Sequence, residues 1–70
     1  LGKSQRGRLR QMMDIIRELQ GSNGGSPHFN DIISKAQALN INREYATSDL
    51  QYLKHAGDLI EVSDGRYRVV

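Results

Sequence analysis

The stretch LQYLKHAGDLIEVSDGRYRVV, from Leu50 to Val70, contains the end of an amphipathic helix, a glycine and two short apolar segments. Gly57 is placed to stop the helix. Asp64-Gly65 separates the two apolar segments, and Asp-Gly between alternating residues is among the strongest short signals for a β-hairpin. The stretch therefore predicts a helix followed directly by a two-stranded hairpin.

The predicted hairpin pairs a strand at 59–62 with a strand that begins at Arg66. Successive side chains of a strand point to opposite faces. We therefore expect Tyr67 and Val69 to face the core, and Arg66 and Arg68 to face solvent.

Three helices are predicted before the hairpin, because apolar residues recur there at helical spacing. The first should run from about Arg8 to Gln20. The second should begin after an N-cap at Asn30 and stop at Asn40. The third, 43–56, should follow an N-cap at Asn42.

Only about three residues separate the second and third helices, which is the spacing of a helix-turn-helix. Pro27 favours an extended entry to the second helix, so a very short first strand is expected there. The sequence thus predicts an α+β winged helix-turn-helix domain over 9–70, with three helices and a C-terminal hairpin wing. A basic flexible linker is expected at 1–8, a flexible glycine-serine connection at 21–26, and the chain is expected to be part of a longer protein.

Positive charge is concentrated at the start of the chain. The full sequence has a net charge of +2, yet four cations and no acid fall within residues 1–10. Residues 11–70 hold six Lys/Arg and eight Asp/Glu, a net charge of −2. Nucleic-acid affinity depends on clustered positive charge, so we expect weak binding by the folded body. The basic arm is either a solvated linker or a DNA-binding arm.

No catalytic or cofactor-binding pattern is present in the sequence. The two histidines, His28 and His55, have no ligands at metal spacing, and there is no cysteine. The glycine-rich segment 21–26 lacks the Gly-Lys-Ser/Thr of a phosphate-binding loop. We expect a domain without catalytic activity, cofactor or membrane span.

The third helix is the candidate recognition helix, and the wing is a second candidate DNA contact. The outward face of the third helix also carries Glu44. An ordinary hydrated helix face is therefore an equally good interpretation. Arginines on the wing either bind phosphate or protect the exposed strand edge from aggregation. The candidate nucleic-acid-binding residues are Thr47, Ser48, Gln51, Lys54, Arg66 and Arg68.

Two tyrosines on the third helix are candidates for partner binding. Tyr45 and Tyr52 are seven residues apart, so they lie on one flank of the helix, and His55 follows them. Such tyrosines more often close the rim of a core with the hydroxyl in water. We keep Tyr45, Tyr52 and His55 as candidate partner-binding residues.

The pattern resembles the C-terminal winged-helix domain of archaeal MCM replicative helicases. The segment 59–63 departs from it, since family members often carry a tyrosine and a proline near the first wing strand. The residues that carry the resemblance are Pro27-His28-Phe29-Asn30-Asp31-Ile32-Ile33, Ala36, Ile41, the run 50–62, and Gly65-Arg66-Tyr67-Arg68-Val69.

The resemblance implies that the parent protein is a hexameric, ATP-driven DNA helicase. The domain itself would be monomeric, would modulate its own motor domain and would contact an origin-binding loader protein, with weak DNA contact. Cytoplasmic, nucleoid-associated localisation is then expected. Two alternatives stay open: a sequence-specific DNA-binding domain of a winged-helix transcription regulator, and a pure protein–protein domain.

Overall fold

The computed structural model describes residues 3–22 and 25–70, and it has the predicted α+β winged-helix layout. Three helices are followed by one antiparallel hairpin within this part of the chain. The elements are α1 Lys3–Ser22, α2 Phe29–Ala38, α3 Arg43–Ala56, β1 Leu59–Ser63 and β2 Arg66–Val69.

One hydrophobic core lies between the three helices and the inner face of the hairpin. Each helix presents to it the face that its apolar periodicity predicted, except that Leu39, expected on the apolar face of the second helix, is exposed. β1 packs on α3, whereas β2 packs on α1. Large apolar side chains that are fully buried at its centre include Met12, Ile16, Ile32, Leu50 and Leu59.

The predicted start of α1 was wrong, because the helix begins at Lys3 and not at Arg8. The expected flexible linker at 1–8 is therefore helical from residue 3 onward, and residues 1 and 2 lie outside the described residues. Two side chains in this region are anchored: Leu9 is buried, and the Arg8 guanidinium binds Asp49 of α3. A glycine inside a helix, here Gly7, costs only about 1 kcal/mol relative to alanine. The glycine does not end the helix, and α1 extends five residues before its predicted start.

The end of α1 also lies slightly beyond its predicted end at Gln20. The helix continues through Gly21 to Ser22, and the backbone N–H of Gly25 donates to the carbonyl of Gln20 at 3.0 Å. Of the predicted glycine-serine connection, residues 23 and 24 lie outside the described residues.

The N-cap of α2 is His28, so the predicted cap at Asn30 was wrong. His28 is extended (φ −77°, ψ 151°), and its Nδ1 accepts a hydrogen bond from the Asn30 N–H at 3.1 Å. His28 is held in this conformation because its backbone pairs with Arg66 of β2. The short first strand expected after Pro27 is thus reduced to this isolated bridge, which is a single residue pair and not a strand.

The boundaries of α3 are as predicted. The Asn42 Oδ1 accepts a hydrogen bond from the Tyr45 N–H at 2.8 Å, which satisfies one of the free donors at the helix start. Gly57 ends the helix in the left-handed region, with φ of 85°. A glycine adopts that conformation without steric cost.

The hairpin turns at Asp64-Gly65, as expected. Glu61 pairs with Tyr67 but Ser63 pairs with Arg66, so the strand contains a bulge between Glu61 and Ser63. The predicted faces are confirmed. Tyr67 and Val69 are buried, whereas both wing arginines, Arg66 and Arg68, are exposed.

The turn also has to fit against the entry to α2. Gly65 has a φ of 76°, and a Cβ atom there would come within 2.9 Å of the His28 Nε2. The Gly65 carbonyl accepts a hydrogen bond from the Phe29 N–H at 2.7 Å. Glycine is therefore required both by the backbone conformation and by the close approach of His28.

No helix in the described part of the chain has the length and apolarity that crossing a bilayer requires.

Candidate functional site

α3 distributes the predicted binding residues over three faces. Its buried stripe, which faces the core, contains Ala46, Asp49, Leu50 and Leu53. Successive residues advance by about 100° around a helix. The predicted residues therefore lie on the flank beside β1 (Thr47, Lys54), on the outward face (Ser48, Gln51, His55) and on the opposite flank (Tyr45, Tyr52).

On the flank beside β1, Lys54 is paired with Glu61, and Arg43, one turn before Thr47, is exposed. The Lys54 Nζ lies 2.9 Å from the Glu61 Oε1, and the Glu61 Oε2 accepts a hydrogen bond from the Gly65 N–H at 3.0 Å. The hydrogen bond to Glu61 raises the pKa of Lys54. The same bond, followed by that from the Gly65 N–H, lowers the pKa of Glu61. A phosphate would have to compete with Glu61 for the lysine.

The other predicted residues on α3 differ in availability. The Thr47 hydroxyl donates to the Arg43 carbonyl at 2.7 Å, one turn back in the helix, which occupies its proton. Ser48 and Gln51 are exposed on the outward face, next to Glu44. The outward face therefore offers neutral polar groups and one negative charge, with no unpaired lysine or arginine among its described residues.

The wing arginines face solvent but have different surroundings. The Arg66 guanidinium donates to the Ser26 carbonyl at 3.1 Å, over a shallow depression that also includes Asp31 and Lys35. Arg68 is exposed opposite Ile60. Charges of both signs around Arg66 make it a weaker phosphate ligand than its exposure alone suggests.

The flank opposite β1 contains a contact that the sequence analysis missed. The Arg8 Nε and Nη2 donate to the two carboxylate oxygens of Asp49 at 2.6 and 3.0 Å. The Asp49 side chain is only 1% exposed, and the Arg8 guanidinium carbon lies 4.5 Å from the Tyr45 ring centroid. The hydrogen bond to Asp49 raises the pKa of Arg8.

A sequence signal for this contact did exist. Asp49 lies within the buried stripe of α3, three residues after Ala46 and next to Leu50. A carboxylate at a core position requires a cation or several hydrogen-bond donors. Its partner, 41 residues away in the sequence, could not be chosen among the ten Lys/Arg residues.

The candidate partner-binding residues are accessible along one side of α3. Tyr45 is 54% exposed and Tyr52 is 42% exposed. His55 is exposed and lies one turn after Tyr52. The structure thus brings Tyr52 and His55 together, while Tyr45 lies two turns earlier against Arg8.

The histidines do not form a metal site with other described residues. His28 caps α2, whereas His55 lies on the outside of α3. No group of three or more His, Asp or Glu residues in the described ranges is arranged to hold a metal ion. The expectation that the domain is not catalytic stays a prediction.

Neither any protein-family model nor any curated protein matches this sequence. The winged-helix layout is therefore known from the structure itself. The resemblance to the MCM domain stays a prediction carried by the motif residues.

Proposed function

We propose that the chain is a non-catalytic winged-helix interaction module of an ATP-dependent replicative DNA helicase. It contacts an origin-binding loader protein and modulates its own motor domain, and it binds DNA weakly. The observation that supports a docking role is the division of α3. Its outward face is poor in free positive charge, whereas one flank exposes two tyrosines.

Base readout in a groove relies on side chains that donate to base edges and on cations that neutralise phosphates. Lys54 is paired with Glu61, and Glu44 adds a negative charge near the start of the helix. Both features oppose the close approach of a phosphate backbone. They favour weak DNA contact over an operator-binding function.

The tyrosine flank has the composition of a protein-docking surface. Tyrosine is enriched at the energetic centres of interfaces, because it combines apolar area with a hydroxyl and loses little conformational freedom. Tyr52 and His55 are adjacent and exposed, and Tyr45 is pre-oriented by the Arg8 guanidinium. The helicase context comes from the motif resemblance alone.

An NMR titration with an origin-binding loader protein tests the proposal. We expect chemical-shift changes centred on Tyr45, Tyr52 and His55, and a loss of affinity of at least tenfold in Tyr52→Ala. Gln37→Ala, an exposed position on α2, is the matched control and should bind like the wild type. Shifts that avoid Tyr45, Tyr52 and His55, or unchanged affinity in Tyr52→Ala, would contradict the proposal.

The second candidate is a sequence-specific DNA-binding domain, which the exposure of Gln51 and of the two wing arginines favours. Such a domain should hold one site with a Kd of about 10⁻⁸ M or tighter at physiological salt. Binding confined to about 10⁻⁴–10⁻⁶ M would match non-specific contact and argue against this candidate.

A further inference from the structure

More exposed positive charge lies on α1 than on any other element described, whereas α3 carries exposed Arg43 and the paired Lys54. Residues 1–17 hold five Lys/Arg and one Asp, whereas residues 18–70 hold five Lys/Arg and seven Asp/Glu. One of the five cations of residues 1–17, Arg8, forms an ion pair with the buried Asp49. Those left on the described surface of α1 are Arg6, Arg10 and Arg17, all exposed.

Helical geometry aligns these three arginines into one stripe. They are separated by four and seven residues, which places them within about 40° of one another around the helix axis. The stripe spans about 16 Å along that axis, at 1.5 Å per residue. We call Arg6, Arg10 and Arg17 the α1 stripe.

Nearby carboxylates leave the stripe largely uncompensated. Asp14 lies 3.6 Å from the Arg17 Nη1, but both side chains are more than half exposed, and such pairs contribute little. The Glu18 carboxylate is directed to Lys35 of α2, at 3.0 Å. Arg6 and Arg10 have no ion pair with any described side chain.

The surroundings of the stripe indicate the chemistry of its partner. A protein interface needs apolar or aromatic anchors at its centre. The described surface of α1 exposes no large hydrophobic side chain, and the helix contains no aromatic residue. Unpaired single strands are usually held by stacking on aromatic side chains, which are lacking here. Regularly spaced arginines without such anchors suit the phosphates of a duplex.

We infer that the α1 stripe is a sequence-independent contact for the phosphate backbone of duplex DNA. The inference rests on the weak DNA binding that belongs to the proposed function. It assigns that binding to α1 and not to α3. Arginine binds phosphate oxygens through a planar fork of donors and stays charged at any physiological pH. Binding releases condensed counterions, so it weakens steeply with salt.

Fluorescence anisotropy of a random-sequence duplex with the 70-residue chain tests this inference. Neutralising three phosphate contacts should lower the magnitude of the slope of log K against log salt by about 2.7, at roughly 0.9 per contact. The test variant is Arg6→Gln/Arg10→Gln/Arg17→Gln, measured between about 50 and 200 mM salt. Glutamine has a similar helix propensity to arginine, so α1 should persist.

A charge-matched control separates the stripe from net charge. Lys54→Gln/Arg66→Gln/Arg68→Gln removes the same three charges from the α3–wing surface. We expect it to change the slope by less than one. Arg6→Lys/Arg10→Lys/Arg17→Lys keeps the charges and should retain nearly the whole slope, which would assign the effect to charge and not to the arginine side chains as such.

Three results would overturn the inference. The first is an equal effect of both neutralised variants, which would show that only net charge matters. The second is a larger effect of the α3–wing variant, and the third is no duplex binding by the wild type at the lowest salt. Loader binding is measured through Tyr52 and not through the stripe, so these failures would leave the docking proposal standing.

Discussion

Two ion pairs join α3 to its neighbours within the described residues, and they lie on opposite flanks of the helix. Arg8–Asp49 connects it to α1, and Lys54–Glu61 connects it to β1. The side chains of the first pair are 24% and 1% exposed, and those of the second are 40% and 28% exposed. The same chemistry therefore operates in two different dielectric environments.

The difference in burial shows which ion pair stabilises the fold and which one changes the charge of a surface. A charge held in the interior depends on its partner, because water cannot replace that partner. An exposed pair is screened and contributes little to stability. Lys54–Glu61 therefore acts chiefly by reducing the free positive charge beside the outward face of α3, whereas Arg8–Asp49 holds α1 against α3.

The largest effect is expected from breaking the buried pair at Arg8. Arg8→Met leaves the Asp49 carboxylate buried without a cation, which should lower the free energy of unfolding by about 3 kcal/mol. For a domain of this size, that corresponds to a fall in Tm of roughly 12–24 °C. Thermal unfolding followed by circular dichroism measures it. Arg10→Met, which removes an exposed arginine from the same helix, should shift the Tm by only a few degrees.

A second substitution at Asp49 tests whether charge burial causes that loss. Replacing a buried ion pair by apolar residues is often neutral or stabilising. We therefore expect Arg8→Met/Asp49→Leu to recover most of the stability lost in Arg8→Met, by the same measurement. A double variant as unstable as the single one would instead assign the loss to the packing of Arg8 on Tyr45.

These two pairs also show how far the sequence alone could predict the structure. Local signals worked where the cause is local: Asp64-Gly65 for the turn, Asn42 and Gly57 for the ends of α3. They failed where a distant partner decides the outcome. His28 caps α2 in place of Asn30 because β2 holds its backbone extended. Arg8 of α1 binds Asp49, 41 residues away in the sequence, and no local pattern predicts that pair.

The candidate site was predictable in part for the same reason. The exposed residues of α3 followed from helical periodicity, since the buried stripe fixes which side faces outward. Whether Lys54 is available to bind phosphate depended on its hydrogen bond to Glu61, which lies seven residues away and in another element. The α1 stripe depended on Arg6, which local propensity had assigned to a linker, whereas Arg10 and Arg17 lay in the predicted helix.

The smallest effect on stability is expected from breaking the exposed pair between Lys54 and Glu61. The pH dependence of the Tm distinguishes this effect from others. Because the pKa of Glu61 is lowered in the folded state, the pair stabilises the protein above the unfolded pKa of about 4.3. That contribution is lost as the pH falls through the lower folded pKa. Glu61→Gln should therefore have a slightly lower Tm than the wild type at neutral pH, and the difference should shrink as the pH falls through the lowered folded pKa of Glu61.

Lys54→Gln provides the matched test of this last prediction. It removes the other member of the pair and leaves the bond from the Gly65 N–H to Glu61 in place. Its Tm difference from the wild type should also shrink on acidification, by less than that of Glu61→Gln, since the Gly65 bond still favours the ionised carboxylate. A Tm difference in Glu61→Gln that persists at low pH would show that the side chain stabilises the turn by shape and not by charge.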